Sequence, residues 1–422
     1  MKKLQILFAL LVLQALVLPS PAQADEIVEF PDPNLREIIG QETQRLTGDI
    51  YRLDLLRIKN IDADSRGIED LTGLEYCVNL NVLDLQDNEI DDVDALSGLT
   101  GLDWLALGGN QIRDVSPLSG LHNLTNLDLS GNGLIDVTPL SGLESLRWLD
   151  LGANRLGDVT ALADLTGLTI LNLADNAIRD VSPLAGLTSL TWLHVDGNRV
   201  GDISAISNLV NLSELQLSQN HIGDIAPLSN LSKLTSLYLD DNQIDDLTPL
   251  SGLTNLRRVD LGSNQVDDIG PLSGLDALTN LYLEDNLIDD ISPLSGLTGL
   301  TEIDLSGNRI ADITALENLY DPVYFDLSQN LIEDVEPITN VTRFGPGDSV
   351  DLTDNPLNAR SQEVYVPELV QKGVDVILEE IFTPAPDGEG GGLPLNPGFI
   401  VGPILVIMFV VVLVFRLLSR EI

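Results

Sequence analysis

Residues capable of chemistry are scattered along this sequence and do not form a catalytic motif. There is no Gly-x-x-x-x-Gly-Lys loop, no Gly-x-Ser-x-Gly elbow and no His-Glu-x-x-His pair, so phosphate, acyl and zinc chemistry find no support. His122, His194 and His221 are widely separated. Paired acids are common in a chain of net charge -43, where they are weak evidence of catalysis. We predict a non-enzymatic protein with no cofactor and no metal centre.

Cys77 is the single cysteine, so the chain cannot form an intramolecular disulfide. Leu99 and Leu121, which lie 22 and 44 residues later, occupy the same position in the two following 22-residue repeats. That correspondence predicts a buried apolar role for the cysteine rather than a reactive thiol.

Tryptophan and tyrosine are the side chains that most often anchor a partner, and here they recur at regular spacing. Trp104, Trp148 and Trp192 follow one another at steps of 44 residues, so all three occupy the same position of a 22-residue repeat. If each fell independently among the 22 positions, all three would share one about once in five hundred trials. Together with neighbouring aromatic positions they form the predicted ligand-binding set: Trp104, Trp148, Trp192, His194, Tyr238, Tyr282 and Tyr324. Duplication is the alternative, because residues 154–158 and 198–202 are alike at the same 44-residue offset.

Acidic residues are concentrated on the C-terminal half of the same predicted surface. This secondary acidic patch consists of Asp240, Asp241, Asp260, Glu284, Asp285, Asp304 and Asp326. It suits a basic partner, and weak divalent cation binding stays open. A second set of aspartates recurs every 22 residues, two positions before helix-start signatures such as Ser116-Pro117. We predict that these bond to backbone amides in turns, with the serine as cap and the proline first in the helix.

The elements that position these side chains follow from a 22-residue period. Asparagine recurs at this step from Asn88 to Asn330, and apolar residues recur around it. Leu83-Asp84-Leu85 alternates with period two, which predicts a short strand whose leucines point inward. One strand per coil stacks into a parallel sheet, about 60 Å long for about thirteen coils. The asparagines turn inward and satisfy backbone groups at the bend.

The pattern Leu-x-x-Leu-x-Leu-x-x-Asn-x-Ile-x-Asp resembles the 22-residue leucine-rich repeats of bacterial internalin-like proteins, over residues 58–357. The resemblance implies an α/β solenoid, a leucine-rich-repeat horseshoe with a parallel β-sheet on the concave face and short 3-10 segments on the convex face. It also implies that other macromolecules bind on the concave face.

Caps are expected at both ends of the repeats. The N-terminal helical cap covers 25–57, with Leu35, Ile38, Ile39 and Leu46 on one side of its helix. The C-terminal cap covers 358–382, with a helix over 358–372 and a final strand over 374–378. The repeat pattern is broken at Pro322 and by three extra residues around 344–348, where we expect a local bulge.

Both chain ends carry membrane-related signals. Residues 1–24 have two lysines, an apolar run and a small-x-small end, which predicts a signal peptide. Residues 383–398 are predicted to be a flexible linker, 399–418 a transmembrane helix and 419–422 a cytoplasmic tail. Arginine follows the apolar stretch, so the body of the chain should lie outside the cytoplasm. The expected location is the bacterial cell envelope, with the ectodomain extracellular or periplasmic.

These observations predict a cell-envelope binding or adhesion protein that recognises a protein partner on the concave face. Nucleic acid is excluded by the acidic charge. One alternative is glycan binding by the tryptophans, and another is a structural spacer without a ligand.

Overall fold

Short parallel strands, one per coil, form the sheet of this protein. A computed structural model describes residues 26–378, in which fifteen strands pair strictly in sequence order. They are β1 Asn60–Asp62, β2 Val82–Asp84, β3 Trp104–Ala106, β4 Asn126–Asp128, β5 Trp148–Asp150, β6 Ile170–Asn172, β7 Trp192–His194, β8 Glu214–Gln216, β9 Ser236–Tyr238, β10 Arg258–Asp260, β11 Asn280–Tyr282, β12 Glu302–Asp304, β13 Tyr324–Asp326, β14 Ser349–Asp351 and β15 Asp375–Ile377. The predicted parallel sheet is therefore confirmed.

On the other side of each coil lies a 3-10 helix. Within the described residues these are Leu74–Tyr76, Asp94–Leu96, Ser116–Gly120, Thr138–Leu140, Thr160–Leu162, Ser182–Gly186, Ser204–Asn208, Ala226–Leu228, Thr248–Leu250, Gly270–Leu272, Ser292–Gly296 and Thr314–Asn318. The repeated leucines fill the space between sheet and 3-10 helices, and Leu83, Leu85 and Leu96 are fully buried. Burial of this apolar column stabilises each coil against its neighbours.

The repeated asparagines form a buried ladder. Asn110 accepts from the backbone N–H of Ile90 at 3.0 Å and donates to the carbonyls of Leu85 and Leu107 at 2.9 and 3.0 Å. Ile90 and Leu85 belong to the preceding coil, whereas Leu107 belongs to the same coil as Asn110. The ladder satisfies buried backbone groups that the bend leaves without sheet partners, as predicted.

Aspartates of the second column act in turns. Asp114 accepts from the backbone N–H of Ser116 at 2.8 Å, and Asp180 does the same for Ser182. The predicted role is confirmed, but one detail was wrong. Ser116 is the first residue of its 3-10 helix, preceded by Val115 as cap, so the proline stands second.

The N-terminal cap consists of α1 Pro33–Glu42 and α2 Arg52–Leu55. Asp32 caps α1 by accepting from the backbone N–H of Leu35 at 2.9 Å. Leu35 and Ile39 are fully buried against the first coil, whereas Leu46 is 69% exposed. The expectation for Leu46 was wrong because α1 ends four residues before it.

The C-terminal coils absorb the extra residues without a break in the sheet. Tyr324 pairs with Ser349, 25 residues later, and α3 Glu336–Thr339 replaces the 3-10 helix of that coil. Phe344, within the lengthened connection, packs on Phe325 with ring centroids 5.2 Å apart. The cap then contains a π-helical turn, Ser361–Tyr365, followed by α4 Val366–Lys372 and by strand β15.

Cys77 is fully buried, and burial raises the pKa of its thiol to about 12. This environment makes it an unreactive core residue. The signal peptide, linker, transmembrane helix and cytoplasmic tail predicted for 1–24 and 383–422 lie outside the described residues. Over residues 26–378, no helix combines the length and apolar character needed to cross a bilayer.

Candidate binding surface

Three tryptophans open alternate strands on one surface of the sheet. Trp104, Trp148 and Trp192 are the first residues of β3, β5 and β7, and their backbones align in register across β4 and β6. Each side chain is half-buried, while the leucine that follows it is fully buried. We name the outward-facing surface of the strands the sheet face. Successive tryptophans lie about 10 Å apart on it, two strand spacings.

His194 extends this aromatic column toward the middle of the sheet. Its ring centroid is 4.3 Å from that of Trp192, and its Nε2 lies 3.3 Å from Oε1 of Glu214. Only 5% of its surface is exposed, so a direct contact to a partner is restricted. The histidine is instead placed to fix the orientation of Trp192.

Two tyrosines of the second half, Tyr238 and Tyr282, flank Arg258. The guanidinium carbon of Arg258 lies 5.5 Å from the ring centre of Tyr238 and 4.6 Å from that of Tyr282. Tyr282 donates from its hydroxyl to Glu302 at 2.6 Å, and Tyr324 donates to Asp326 at 3.0 Å. Sequence reasoning did not select Arg258. Its place on β10, between the strands that carry Tyr238 and Tyr282, is the signal that could have found it.

The acidic patch divides into two groups. Asp241 and Asp285 have left-handed backbones, with φ of 54° and 53°, and lie exposed in the bend after their strands. The other five members, Asp240, Asp260, Glu284, Asp304 and Asp326, are half-buried on or beside the sheet face.

Burial, and then mutual repulsion, raise the pKa values of three of these carboxylates. Burial, and then the neighbouring Asp240, raise the pKa of Asp260 to about 7. Burial and the adjacent Asp260 and Asp304 raise the pKa of Glu284 to about 8. The pKa of Asp304 rises to about 6, through burial and then Asp326. The second half of the sheet face therefore holds more negative charge than its surroundings stabilise.

Buried acids in the first half were missed by the sequence analysis. Asp128 and Asp150 are each 2% exposed, directly beside the tryptophans. Burial and Asp128 raise the pKa of Asp150 to about 6, although Asn172 donates to its carboxylate at 3.0 Å. Both occupy the third strand position, and the recurrence of aspartate there was the available signal.

Some buried polar atoms in the described part of the chain lack a hydrogen-bond partner. Oε2 of Glu284, Nε of Arg258 and Oδ1 of Asp196 are buried without a hydrogen bond inside the described region. Over residues 26–378, no group of three or more His, Cys, Asp or Glu side chains has the arrangement of a metal site.

Comparison with protein families agrees with this architecture. The model for leucine-rich repeats (2 copies) matches residues 100–143, 144–186, 188–230, 210–252, 232–274, 254–296 and 276–318. Together these matches cover more than half of the chain. The chain belongs to the leucine-rich-repeat family. A second leucine-rich-repeat model matches residues 76–97.

Solved leucine-rich-repeat proteins resemble this one over most of its length. An internalin (inlF) from Listeria monocytogenes is 35% identical, with a TM-score of 0.65, over 71% of this chain and 96% of the internalin. A leucine-rich-repeat protein of Leptospira interrogans shares the fold at 21% identity, with a TM-score of 0.64, over 77% and 97% of the two chains. No curated protein matches the sequence.

A plant peptide hormone receptor, solved in complex with RGF2, also shares the fold. It is 22% identical, with a TM-score of 0.61, over 78% of this chain and 64% of the receptor. Leucine-rich-repeat solenoids are typically non-enzymatic binding scaffolds, and the matched families indicate no catalytic activity.

Proposed function

We propose that this leucine-rich-repeat protein binds a protein partner on its sheet face, at the cell envelope and outside the cytoplasm. The observation that carries the proposal is the alignment of Trp104, Trp148 and Trp192 on alternate strands of one rigid sheet. Half-buried tryptophans lose little side-chain entropy on binding and still offer apolar surface, which makes them effective anchors. The adhesion role and the location rest on the predicted signal peptide and membrane segment.

The second half of the sheet face supports a basic contact. Glu284 and Asp260 have raised pKa values because burial, and then the neighbouring acids, disfavour their charge. A lysine or arginine from the partner would stabilise the ionised forms and provide a donor for Oε2 of Glu284. The partner is thus expected to place apolar groups over the tryptophans and basic groups over the acids.

Glycan binding is a second candidate, favoured by one observation. The two-strand step between successive tryptophans, about 10 Å, suits stacking on alternate sugar rings of an extended β-linked chain. The half-buried side chains leave less ring surface for such stacking than a fully exposed platform would. We therefore rank a protein partner first.

The test compares the full-length chain with two variants. One replaces Trp104, Trp148 and Trp192 by alanine, and the matched control replaces Tyr320, an aromatic residue 53% exposed outside the sheet face. Each is used to capture proteins from envelope extracts and to probe a glycan array. A protein retained by the parent and by Tyr320→Ala but lost by the triple variant supports the proposal.

The other outcomes are equally informative. Loss of a glycan signal only in the triple variant would support the second candidate. Retention of every ligand by a folded triple variant would refute a role for the tryptophans.

A further inference from the structure

Arg258 is the one arginine or lysine within the fifteen strands of the described region. It opens β10, and its half-buried side chain lies on the sheet face in the same column as Trp192. It forms no ion pair within residues 26–378, although the second half of this face is rich in acids. A basic group without an acidic partner on such a surface requires a physical explanation.

Two glutamates of the same column are directed to other groups. Glu302 accepts from the hydroxyl of Tyr282 at 2.6 Å, and Oε1 of Glu214 lies 3.3 Å from Nε2 of His194. Each glutamate belongs to a strand two positions from β10, about 10 Å away. The strands next to β10 carry serine and asparagine at this position. Neither carboxylate reaches the guanidinium of Arg258 within ion-pair distance.

Asp260, two residues along β10 from Arg258, is the nearest acid on the same strand. Its carboxylate accepts from the backbone N–H of Gly262 at 3.3 Å rather than from the guanidinium. Burial, and then Asp240, raise the pKa of Asp260 to about 7, so a substantial fraction of this group is neutral at pH 7. Its competition with an incoming anion for Arg258 is thereby reduced.

Two tyrosine rings hold the guanidinium in place without using its donors. The rings of Tyr238 and Tyr282, on the strands either side of β10, lie 5.5 and 4.6 Å from the guanidinium carbon of Arg258. Contacts of this kind act through the ring faces. Nε is buried without an acceptor, and the two terminal nitrogens donate no hydrogen bond to residues 26–378. A fixed guanidinium, which has five N–H donors, is therefore left with all of them unused.

A carboxylate is the group that matches these donors. The planar fork of an arginine makes two parallel hydrogen bonds to the two oxygens of a carboxylate. Phosphate would fit the same fork, but its larger negative charge would be repelled more strongly by the acids of the sheet face. An acidic side chain and a free C-terminus both supply a carboxylate with a single charge.

We propose that Arg258 binds a carboxylate of the protein partner, from an acidic side chain or from the C-terminus, and so fixes the register of the partner on the sheet face. The inference rests on the function proposed above, because the sheet face must be the surface that the partner covers. Arg258 lies three strand spacings, about 15 Å, from Trp192 in the same column. An extended segment that crosses the strands covers this distance with about four or five residues. The partner is thus expected to carry its acid at about that separation from an apolar anchor.

The test probes the full-length chain with an array of extended peptides. Each peptide carries apolar residues followed, about four or five positions later, by Glu or by Gln, and each is made with a free and with an amidated C-terminus. The parent chain should prefer Glu over Gln, or the free over the amidated end, by at least about tenfold in Kd. The two comparisons distinguish a side-chain ligand from a chain end.

Three variants assign the preference to one guanidinium. Arg258→Gln removes the charge and should abolish the preference, whereas binding of the uncharged peptides should not change. Arg258→Lys keeps the charge without the fork and should retain a smaller preference, about threefold. The matched control Arg257→Gln changes the adjacent arginine, which lies exposed before the strand, and should behave as the parent. Circular dichroism checks that every variant is folded.

Two results would overturn the proposal directly. One is a parent chain that binds the matched peptides equally or not at all, and the other is a folded Arg258→Gln variant that keeps the preference. Binding of carboxylate-bearing glycans through Arg258, in place of peptides, would likewise refute a peptide carboxylate as the ligand.

The tryptophan triple variant separates this inference from the proposed function. If a captured protein is lost by that variant but bound by Arg258→Gln with unchanged Kd, the proposed function stands and the carboxylate site is refuted. If the triple variant keeps every ligand and the peptide preference still depends on Arg258, the carboxylate site stands and the role of the tryptophans is refuted.

Discussion

Trp148→Ala and Leu149→Ala, adjacent substitutions in β5, should separate partner binding from folding. Leu149 is fully buried in the apolar column, so its truncation should lower the free energy of unfolding by about 2 to 5 kcal/mol. Trp148 is half-buried on the sheet face between Asn126 and Ile170, and its truncation should cost about 1 kcal/mol.

The two substitutions should affect partner affinity in the opposite order, with the larger loss for Trp148→Ala. Trp148 is the middle tryptophan of the column, and the residues that contribute most to binding cluster near the centre of an interface, so its loss should cost at least about 2 kcal/mol of binding, or about 30-fold in Kd. Leu149→Ala should leave Kd within about threefold at a temperature where it is folded.

The assay combines thermal melts followed by circular dichroism with calorimetric titration of the partner identified by the capture experiment. If Trp148→Ala unfolded the chain as severely as Leu149→Ala, the assignment of Trp148 to the sheet face would be wrong. If its Kd equalled that of the parent in folded protein, duplication of coils would be the better account of the tryptophan column.

Three further predictions concern stability and location. Asp180→Ala should lower Tm by about 2 °C because it removes the turn hydrogen bond to Ser182. The control variant Asp164→Ala, at an exposed position, should leave Tm unchanged, and so should added chelator. A large loss of Tm in chelator would indicate instead that the aspartates bind cations. Lowering the pH from about 8 to 5 should raise Tm, because Asp260 and Glu284 bind protons in the folded chain at pH values where the unfolded chain has released them. Glu284→Gln should flatten this dependence and raise Tm at pH 8, and an unchanged pH profile would contradict it. Deleting residues 399–422 should release a folded chain from membranes, and membrane association that resists carbonate extraction would refute the predicted anchor.

The repeat unit was predictable because each of its parts depends on local sequence. Alternation around Leu83 gives the strand and its inward face, and the 22-residue step of Asn110 gives the ladder. Asp114 precedes a serine and a proline, and this spacing alone indicates a turn. Leu46 shows the limit, because it continues the apolar pattern of a helix that has already ended.

The binding surface was less predictable because its properties depend on neighbours 22 residues away. His194 was placed on the correct surface, but its burial comes from Trp192 and from the adjacent coil that contributes Glu214. The raised pKa of Asp150 likewise requires Asp128 on the preceding strand. Aligning the repeats places these side chains on the sheet face. Their burial and pKa values depend on side-chain packing between coils, which the periodicity of the sequence does not describe.

The asparagine ladder gives the solenoid a direction. Asn110 reaches back to Ile90 and Leu85, so the buried amides of each coil are completed by the coil that follows it in the chain. During synthesis, only the most recently emerged coil would lack these bonds, and Asn355 supplies them for Ile332 at the last repeat. Insertion or loss of a whole 22-residue unit preserves every such bond, and the coil before Asn355 keeps its bonds despite three extra residues because these lie in the connection before β14. The length of this protein can therefore evolve in steps of one coil, with the caps left unaltered.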